Sequence, residues 1–147
     1  MYPLCIAQIK LAVKFLKPGG VFIIKLFDTD TYHMKELIYL LACLFKTVII
    51  HKPRTSRPLN SERYLICRNF SLLHMDMRDK IVKLLDQYNT RIYKQKGLLW
   101  KKPISEEFIH LINGYNSYCK EITKRHLSFV MKDIHYNTIR TQHKIAE

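Results

Sequence analysis

Lys25 stands inside Val21-Phe22-Ile23-Ile24-Lys25-Leu26-Phe27, a run in which every other residue is apolar. An ammonium flanked by Ile24 and Leu26 in a buried strand is strongly desolvated unless a partner or a cleft receives it. That setting lowers a lysine's pKa and fits it for general-base work; a side chain that reaches solvent from the strand end is the other arrangement these residues allow. Glu62 is the second chemical candidate. It closes the cationic, proline-marked segment Lys52-Pro53-Arg54-Thr55-Ser56-Arg57-Pro58-Leu59-Asn60-Ser61 just before a strand. From there it can reach a lysine at the end of a neighbouring strand, or serve as an ordinary surface glutamate. A third constellation sets Lys94, Lys96, Lys101 and Lys102 beside Tyr93 and Trp100. Interleaved cations and aromatics suit phosphate contacts with base stacking, and equally describe a core-packed tryptophan in a solvated loop.

These residues need elements to hold them. Ile6, Ile9, Val13 and Leu16 recur at helical spacing, and Pro18-Gly19-Gly20 ends the pattern. The unbroken apolar run 21–27 predicts a strand buried on both faces of a parallel sheet, with Lys25 near its carboxyl end, where open α/β sheets place ligands. Asp28 to Thr31 supply turn and N-cap chemistry before an apolar helix over Met34 to Phe45. Thr47 to His51 predicts a second strand. Arg63 to Arg68 predicts a third, with Tyr64 and Ile66 on one face and Leu65 and Cys67 on the other. This alternation predicts an α/β layer structure with a mainly parallel sheet. After Phe70 the period is helical. Met77, Ile81, Leu84, Leu85, Tyr88 and Ile92 form one stripe, and Phe108, Leu111, Ile112, Tyr115, Cys119, Ile122, His126 and Phe129 another. Ser105 before Glu106 and Glu107 predicts the start of the second of these helices. The division expected is residues 1–70, α/β, and residues 71–147, a helical extension.

At 147 residues the chain is about one domain's worth. Its 25 Lys and Arg against 12 Asp and Glu give a formal charge of +13, divided as +7 over residues 1–70 and +6 over 71–147. The excess is therefore not a detachable tail, and a folded surface of this charge attracts polyanions, nucleic acid first. The longest apolar run, Leu37 to Phe45, has nine residues and falls short of the ~20 a membrane-spanning helix needs. No cleavable secretory leader is expected, because Lys10 and Lys14 interrupt the first apolar stretch. Cys5, Cys43, Cys67 and Cys119 are widely spaced, so the expectation is four buried free thiols in a reducing, cytoplasmic setting, with neither a zinc site nor a disulfide framework.

Three separated motifs together resemble the C-terminal half of FtsJ-like ribose 2′-O-methyltransferases. They are Leu16-Lys17-Pro18-Gly19-Gly20-Val21-Phe22-Ile23-Ile24-Lys25-Leu26-Phe27, then Lys52-Pro53-Arg54-Thr55-Ser56-Arg57, then Asn60-Ser61-Glu62-Arg63-Tyr64-Leu65-Ile66. The resemblance covers about residues 4–70 and implies a Rossmann-like, S-adenosylmethionine-dependent fold. It implies that Lys25 matches the second lysine of the family's Lys-Asp-Lys-Glu tetrad, the residue that activates the ribose 2′-hydroxyl, and that Glu62 matches the glutamate that orients and tunes the lysines. It further implies RNA contacts by Arg54, Ser56, Arg57 and Ser61, and less securely by Lys52 and Asn60. The substrate implied is RNA, with the mRNA cap first. The helical extension is compatible with a cap methyltransferase of a large cytoplasmic DNA virus, acting in the host cytoplasm or the virion.

The sequence also departs from that family. No GxG occurs among Gly19, Gly20, Gly97 and Gly114, and neither the first lysine nor the aspartate of the tetrad is present. The expectation is a chain that begins about halfway through the fold, lacks most of the cofactor site and is inactive alone, its sheet completed by the other half or by a partner protein. Two rival readings follow. One is a non-catalytic RNA-binding or stimulatory module derived from a methyltransferase; the other is an interaction piece whose helical stripes pack on a partner subunit.

Overall fold

A computed structural model describes residues 2–57, 59–72, 74–93, 99 and 103–146, with side chains left out at 91–93 and 133–146. The elements in chain order are α1 (Tyr2–Phe15), β1 (Phe22–Leu26), α2 (Tyr32–Leu44), β2 (Phe45–His51), β3 (Arg63–Phe70), α3 (Met75–Tyr93) and α4 (Glu106–Ala146).

The three strands form one sheet in the order β1-β3-β2, and β3 runs antiparallel to both neighbours. The expectation of a mainly parallel sheet is thereby corrected. Its origin is visible: β1 and β2 do run parallel, joined by the crossover helix α2, but β3 turns back through the 52–62 loop and inserts between them. The rhythm of strand and helix reports the crossover and carries no signal for the insertion.

β1 is also not buried on both faces. Ile24 and Leu26 are buried against α1 and α2, whereas Ile23 is 58% and Phe27 47% exposed, and Lys25 lies on their side. The run is apolar throughout, but helices cover one face of it among the described residues. β3 alternates as expected, with Leu65 and Cys67 fully buried. Ile6, Ile9 and Val13 of α1 and Leu37, Ile38, Leu40 and Leu41 of α2 complete this core. Each such side chain contributes about 1.5–3 kcal/mol by leaving water.

The Pro18-Gly19-Gly20 turn has a steric reason. Gly19 has φ 78°, and a Cβ on Gly20 would lie 2.8 Å from the carbonyl oxygen of Lys17. The turn docks on β3: the Gly19 amide donates to the Phe70 carbonyl at 2.9 Å, and the Phe70 amide to the Gly20 carbonyl at 3.1 Å.

Residues beyond 70 join the same core. Leu85 and Tyr88 of α3, Leu99, and Ile112 of α4 are buried within it. The Arg78 guanidinium, over the Phe70 ring at 5.0 Å, donates to the carbonyls of Val13, Leu16 and Leu72. Ser105 caps α4, its hydroxyl accepting from the Phe108 amide at 3.3 Å. The predicted α4 stripe fades along the helix. Ile112 and Cys119 are buried, while Leu111 is 71% and Phe129 70% exposed. At about 1.5 Å per residue, the 41 residues of α4 reach ~60 Å, longer than this core can cover. Lys94, Lys96, Trp100, Lys101 and Lys102 lie outside the described residues, as does the side chain of Tyr93.

All four cysteines are free, and three are buried; Cys43 is exposed on α2, which corrects the expectation of four buried thiols. Position 43 follows Leu40 and Leu41 on the rim of the helix rather than on its core face. Burial raises the Cys67 thiol to about 12, and raises Cys5 and Cys43 above the ordinary value. A thiol reagent added to the folded chain at mildly alkaline pH is therefore expected to label Cys43 first, more slowly than a free cysteine. Peptide mass mapping reads the order, and labelling of Cys67 before unfolding would contradict it.

Candidate active site and nucleic-acid interface

Register alone brings the two chemical candidates together. Lys25 pairs with Tyr64 across β1 and β3, so Glu62, two residues before Tyr64, projects from the same face of the extended chain. The Lys25 ammonium lies 3.0 Å from Glu62 Oε1. The Tyr64 hydroxyl donates to that same oxygen at 2.6 Å, and Asn60 Nδ2 donates to Oε2 at 3.2 Å. Asn60 Oδ1 in turn accepts from the Glu62 amide at 3.1 Å, an Asx turn that fixes the carboxylate before the strand begins. The ammonium also sits 4.9 Å from the Phe27 ring centroid and 5.9 Å from that of Tyr64, both within cation–π range.

The electrostatics run opposite to the desolvated-lysine expectation. Lys25 is 43% exposed, and the hydrogen bond to Glu62 raises its pKa above 10.5. Glu62 is held below 4.5, first by the Tyr64 hydroxyl and then by Lys25. Lys25's contribution to stability is thus complete below pH 10.5 and fades as pH rises through the raised value. Glu62's is complete above pH 4.5 and is lost as pH falls through the lowered one. Between these limits the pair is ionised. Glu62→Gln is expected to lower the Lys25 pKa, as followed by NMR titration of 13C-labelled lysine; an unmoved titration would mean that Glu62 does not govern the ammonium.

The loop between β2 and β3 is pinned from below. The Lys52 ammonium donates to the carbonyl oxygens of Asn60 and Glu62, so it shapes the segment that carries Glu62. Arg54 and Arg57 are exposed on the loop. The Ser56 hydroxyl is buried with no hydrogen-bond partner among the described residues. Ser61 is exposed and, with Lys52 and Asn60, lines a cleft of about 380 Å³ that Phe27 borders on the β1 side. The structure therefore joins Lys25 with Glu62 and brings Lys52, Asn60 and Ser61 to one cleft, leaving Arg54, Ser56 and Arg57 off its wall.

Two features escaped the sequence reading. Asn60-x-Glu62-x-Tyr64 has the period of a strand, so alternation alone could have placed Asn60 and Tyr64 on either side of the carboxylate. The contacts from α4 have no such local signal. Thr29, fully buried, donates its hydroxyl to Asn116 Oδ1 at 2.6 Å, and Asn116 Nδ2 donates to the Thr29 carbonyl at 3.0 Å. Arg63 donates to the Thr29 hydroxyl at 2.6 Å and stacks over Tyr115 at 5.6 Å.

Residues 1–70, which carry the strand, the lysine–glutamate pair across it and the basic loop beside the pair, match the model of the FtsJ-like methyltransferase family. Over that stretch the chain is similar to this family. It is 42% identical over 91 residues to cap-specific mRNA (nucleoside-2′-O-)-methyltransferase 1 of Ailuropoda melanoleuca, covering 59% of this chain and 11% of that protein. The mouse protein of the same name is 35% identical over 122 residues, 79% of this chain and 15% of the relative. The Trypanosoma cruzi (strain CL Brener) protein of that name is 52% identical over 59 residues, 40% of this chain and 16% of the relative. The chain thus spans well under a fifth of the length of each of these relatives.

FtsJ-like methyltransferases in general depend on S-adenosylmethionine. The described residues do not fit it: Gly19 and Gly20 are committed to the turn against Phe70, and Gly114 lies within α4. No glycine among them opens a cradle from strand to helix, so no step is derived through the cofactor.

Proposed function

We propose that this chain is part of an RNA ribose 2′-O-methyltransferase acting on capped mRNA with S-adenosylmethionine as methyl donor, in which Lys25 and Glu62 manage the ribose hydroxyl. The observation that carries this reading is the 3.0 Å contact between Lys25 and Glu62 at the carboxyl end of β1. A 2′-hydroxyl is a poor nucleophile and has to be aligned as well as relieved of its proton. In its charged form Lys25 donates to the 2′-oxygen and orients a lone pair, and the hydroxyl proton passes to solvent water as the methyl group is transferred. In its neutral form it accepts that proton. Glu62 favours the charged form, so a second cation against Lys25 is what would bring it towards the neutral one. Arg54 and Arg57 are free to meet phosphates, which positions a strand without reading its sequence.

The test is transfer itself. The complete protein, given capped RNA and labelled S-adenosylmethionine, is expected to yield label in a linkage that resists alkaline hydrolysis, because a methylated 2′-oxygen cannot attack its phosphate. Label confined to an alkali-labile product or to a base would overturn the reading.

A further inference from the structure

We propose that α4 is the second wall of a single-stranded RNA track leading to Lys25, with Lys120 and Lys124 holding successive phosphates. The inference rests on the RNA substrate proposed above and adds residues that the loop alone does not supply.

The cleft beside Lys25 has two sides. One is Phe27, Lys52, Asn60 and Ser61; the other is α4, from Cys119 to Leu127. Its charged lining is Lys52, Arg63, Lys120 and Lys124 against Asp28 and Asp30, an excess of cations in a concave site. Two of the six are already occupied in holding the walls: Lys52 by backbone carbonyls, and Arg63 by Thr29. Asp28 is engaged by the Thr31 hydroxyl and the Asp30 amide. What faces the open space is Lys120, Lys124 and Asp30.

α4 is held in place at this point. The Thr29–Asn116 pair is buried on both sides, at 0% and 2% exposure, and lies one turn before Lys120. Lys35 adds a bond to Asn113 Oδ1 at 2.7 Å. The wall is thus fixed by buried hydrogen bonds while its cations stay solvent-facing, as a phosphate site requires. Lys120 and Lys124 are four residues apart on one helix face, about 6 Å along the axis, comparable to one phosphate step of an extended strand. Lys124 has no ionic partner among the described residues. Lys120 is 3.2 Å from Asp30, with both side chains well exposed at 68% and 50%. An exposed pair of this kind is readily exchanged for a phosphate. Phe27, half exposed between the cleft and the Lys25 ammonium, offers a face for a base or ribose at the end of the track.

The test exploits the opposite signs this assigns to the two partners of one ion pair. Binding of a short fluorescent single-stranded oligoribonucleotide to this chain is followed by anisotropy over a salt series. Lys120→Gln with Lys124→Gln is expected to weaken binding by about tenfold at physiological salt and to reduce the slope of log K against log salt by about 1.4, at ~0.7 per phosphate contact. Asp30→Asn is expected to tighten binding. If the Lys120–Asp30 pair merely anchors the helix, both substitutions act in the same direction, which overturns the proposal. An unchanged affinity and slope in the double variant also overturns it, while leaving the methyltransferase reading intact. Loss of transfer without loss of binding in Lys25→Ala belongs to that reading alone. Thermal unfolding of each variant, expected to be unchanged for these exposed side chains, separates a binding effect from misfolding.

Discussion

Lys25→Ala in the complete protein lowers methyl transfer by about 10²–10⁴-fold, the range lost when a positioned proton-transfer group is removed, and leaves RNA affinity nearly unchanged. The expectation follows from where the side chain sits. It is 43% exposed and contacts Glu62, Phe27 and Tyr64 on the face of β1 away from the core, so the buried face of the sheet does not rest on it. Single-turnover transfer beside a binding isotherm makes the separation. A variant that binds RNA and transfers at the wild-type rate removes Lys25 from the mechanism. Glu62→Gln distinguishes the two forms in which Lys25 could act. If the neutral amine takes the proton, loss of the carboxylate moves the pH profile of transfer to lower pH. If the ammonium positions the oxygen, the rate falls without that displacement.

The largest expected effect on stability is at Glu36. This carboxylate of α2 is fully buried, and it accepts from the Tyr88 hydroxyl at 2.6 Å and from the Leu99 amide at 2.7 Å. His33 Nδ1 lies 2.8 Å from the same Tyr88 oxygen and 3.5 Å from the carboxylate. Burial pushes the Tyr88 hydroxyl well above its ordinary pKa, so it remains a donor throughout the accessible range. Glu36→Ala leaves at least the Tyr88 hydroxyl and the Leu99 amide without their acceptor and opens a cavity, for a loss of about 3–5 kcal/mol. At ~2–4 °C per kcal/mol that is a fall in Tm of about 6–20 °C. Glu36→Gln keeps one acceptor oxygen and most of the volume and is expected to lose less. Calorimetry of the pair decides: equal, small changes would mean that these bonds do not hold α2, α3 and the Leu99 segment together.

Much of this could be read in the sequence because it is local. Helical spacing found the buried face of α1, alternation found Leu65 and Cys67, and Ser105 announced the α4 cap. The motifs around Lys25 and Glu62 carried the family. What the sequence did not convey was non-local. Nothing in Arg63 to Phe70 says that this strand inserts between two others, and an unbroken apolar run cannot tell one covered face from two. Of the two arrangements open to Lys25, the desolvated one gives the wrong pKa direction, because the dominant neighbour, Glu62, arrives through pairing with another strand and the side chain reaches solvent. Thr29 and Asn116 are polar residues in unremarkable surroundings, and their pairing exists only in three dimensions.

The order of the sheet also sets a timetable. Its central strand is the last of the three to be synthesised, so β1 and β2 have no common partner until residue 70 has been made. β2 and β3 can close as a hairpin across the 52–62 loop, whereas the pairing of β1 with β3 spans about 40 residues and is the step that loop-closure entropy slows. Lys25 meets Glu62 in that same event. The Lys25–Glu62 ion pair is therefore assembled only when β3 joins β1, so the lysine is not held against its carboxylate until the strands around both have paired.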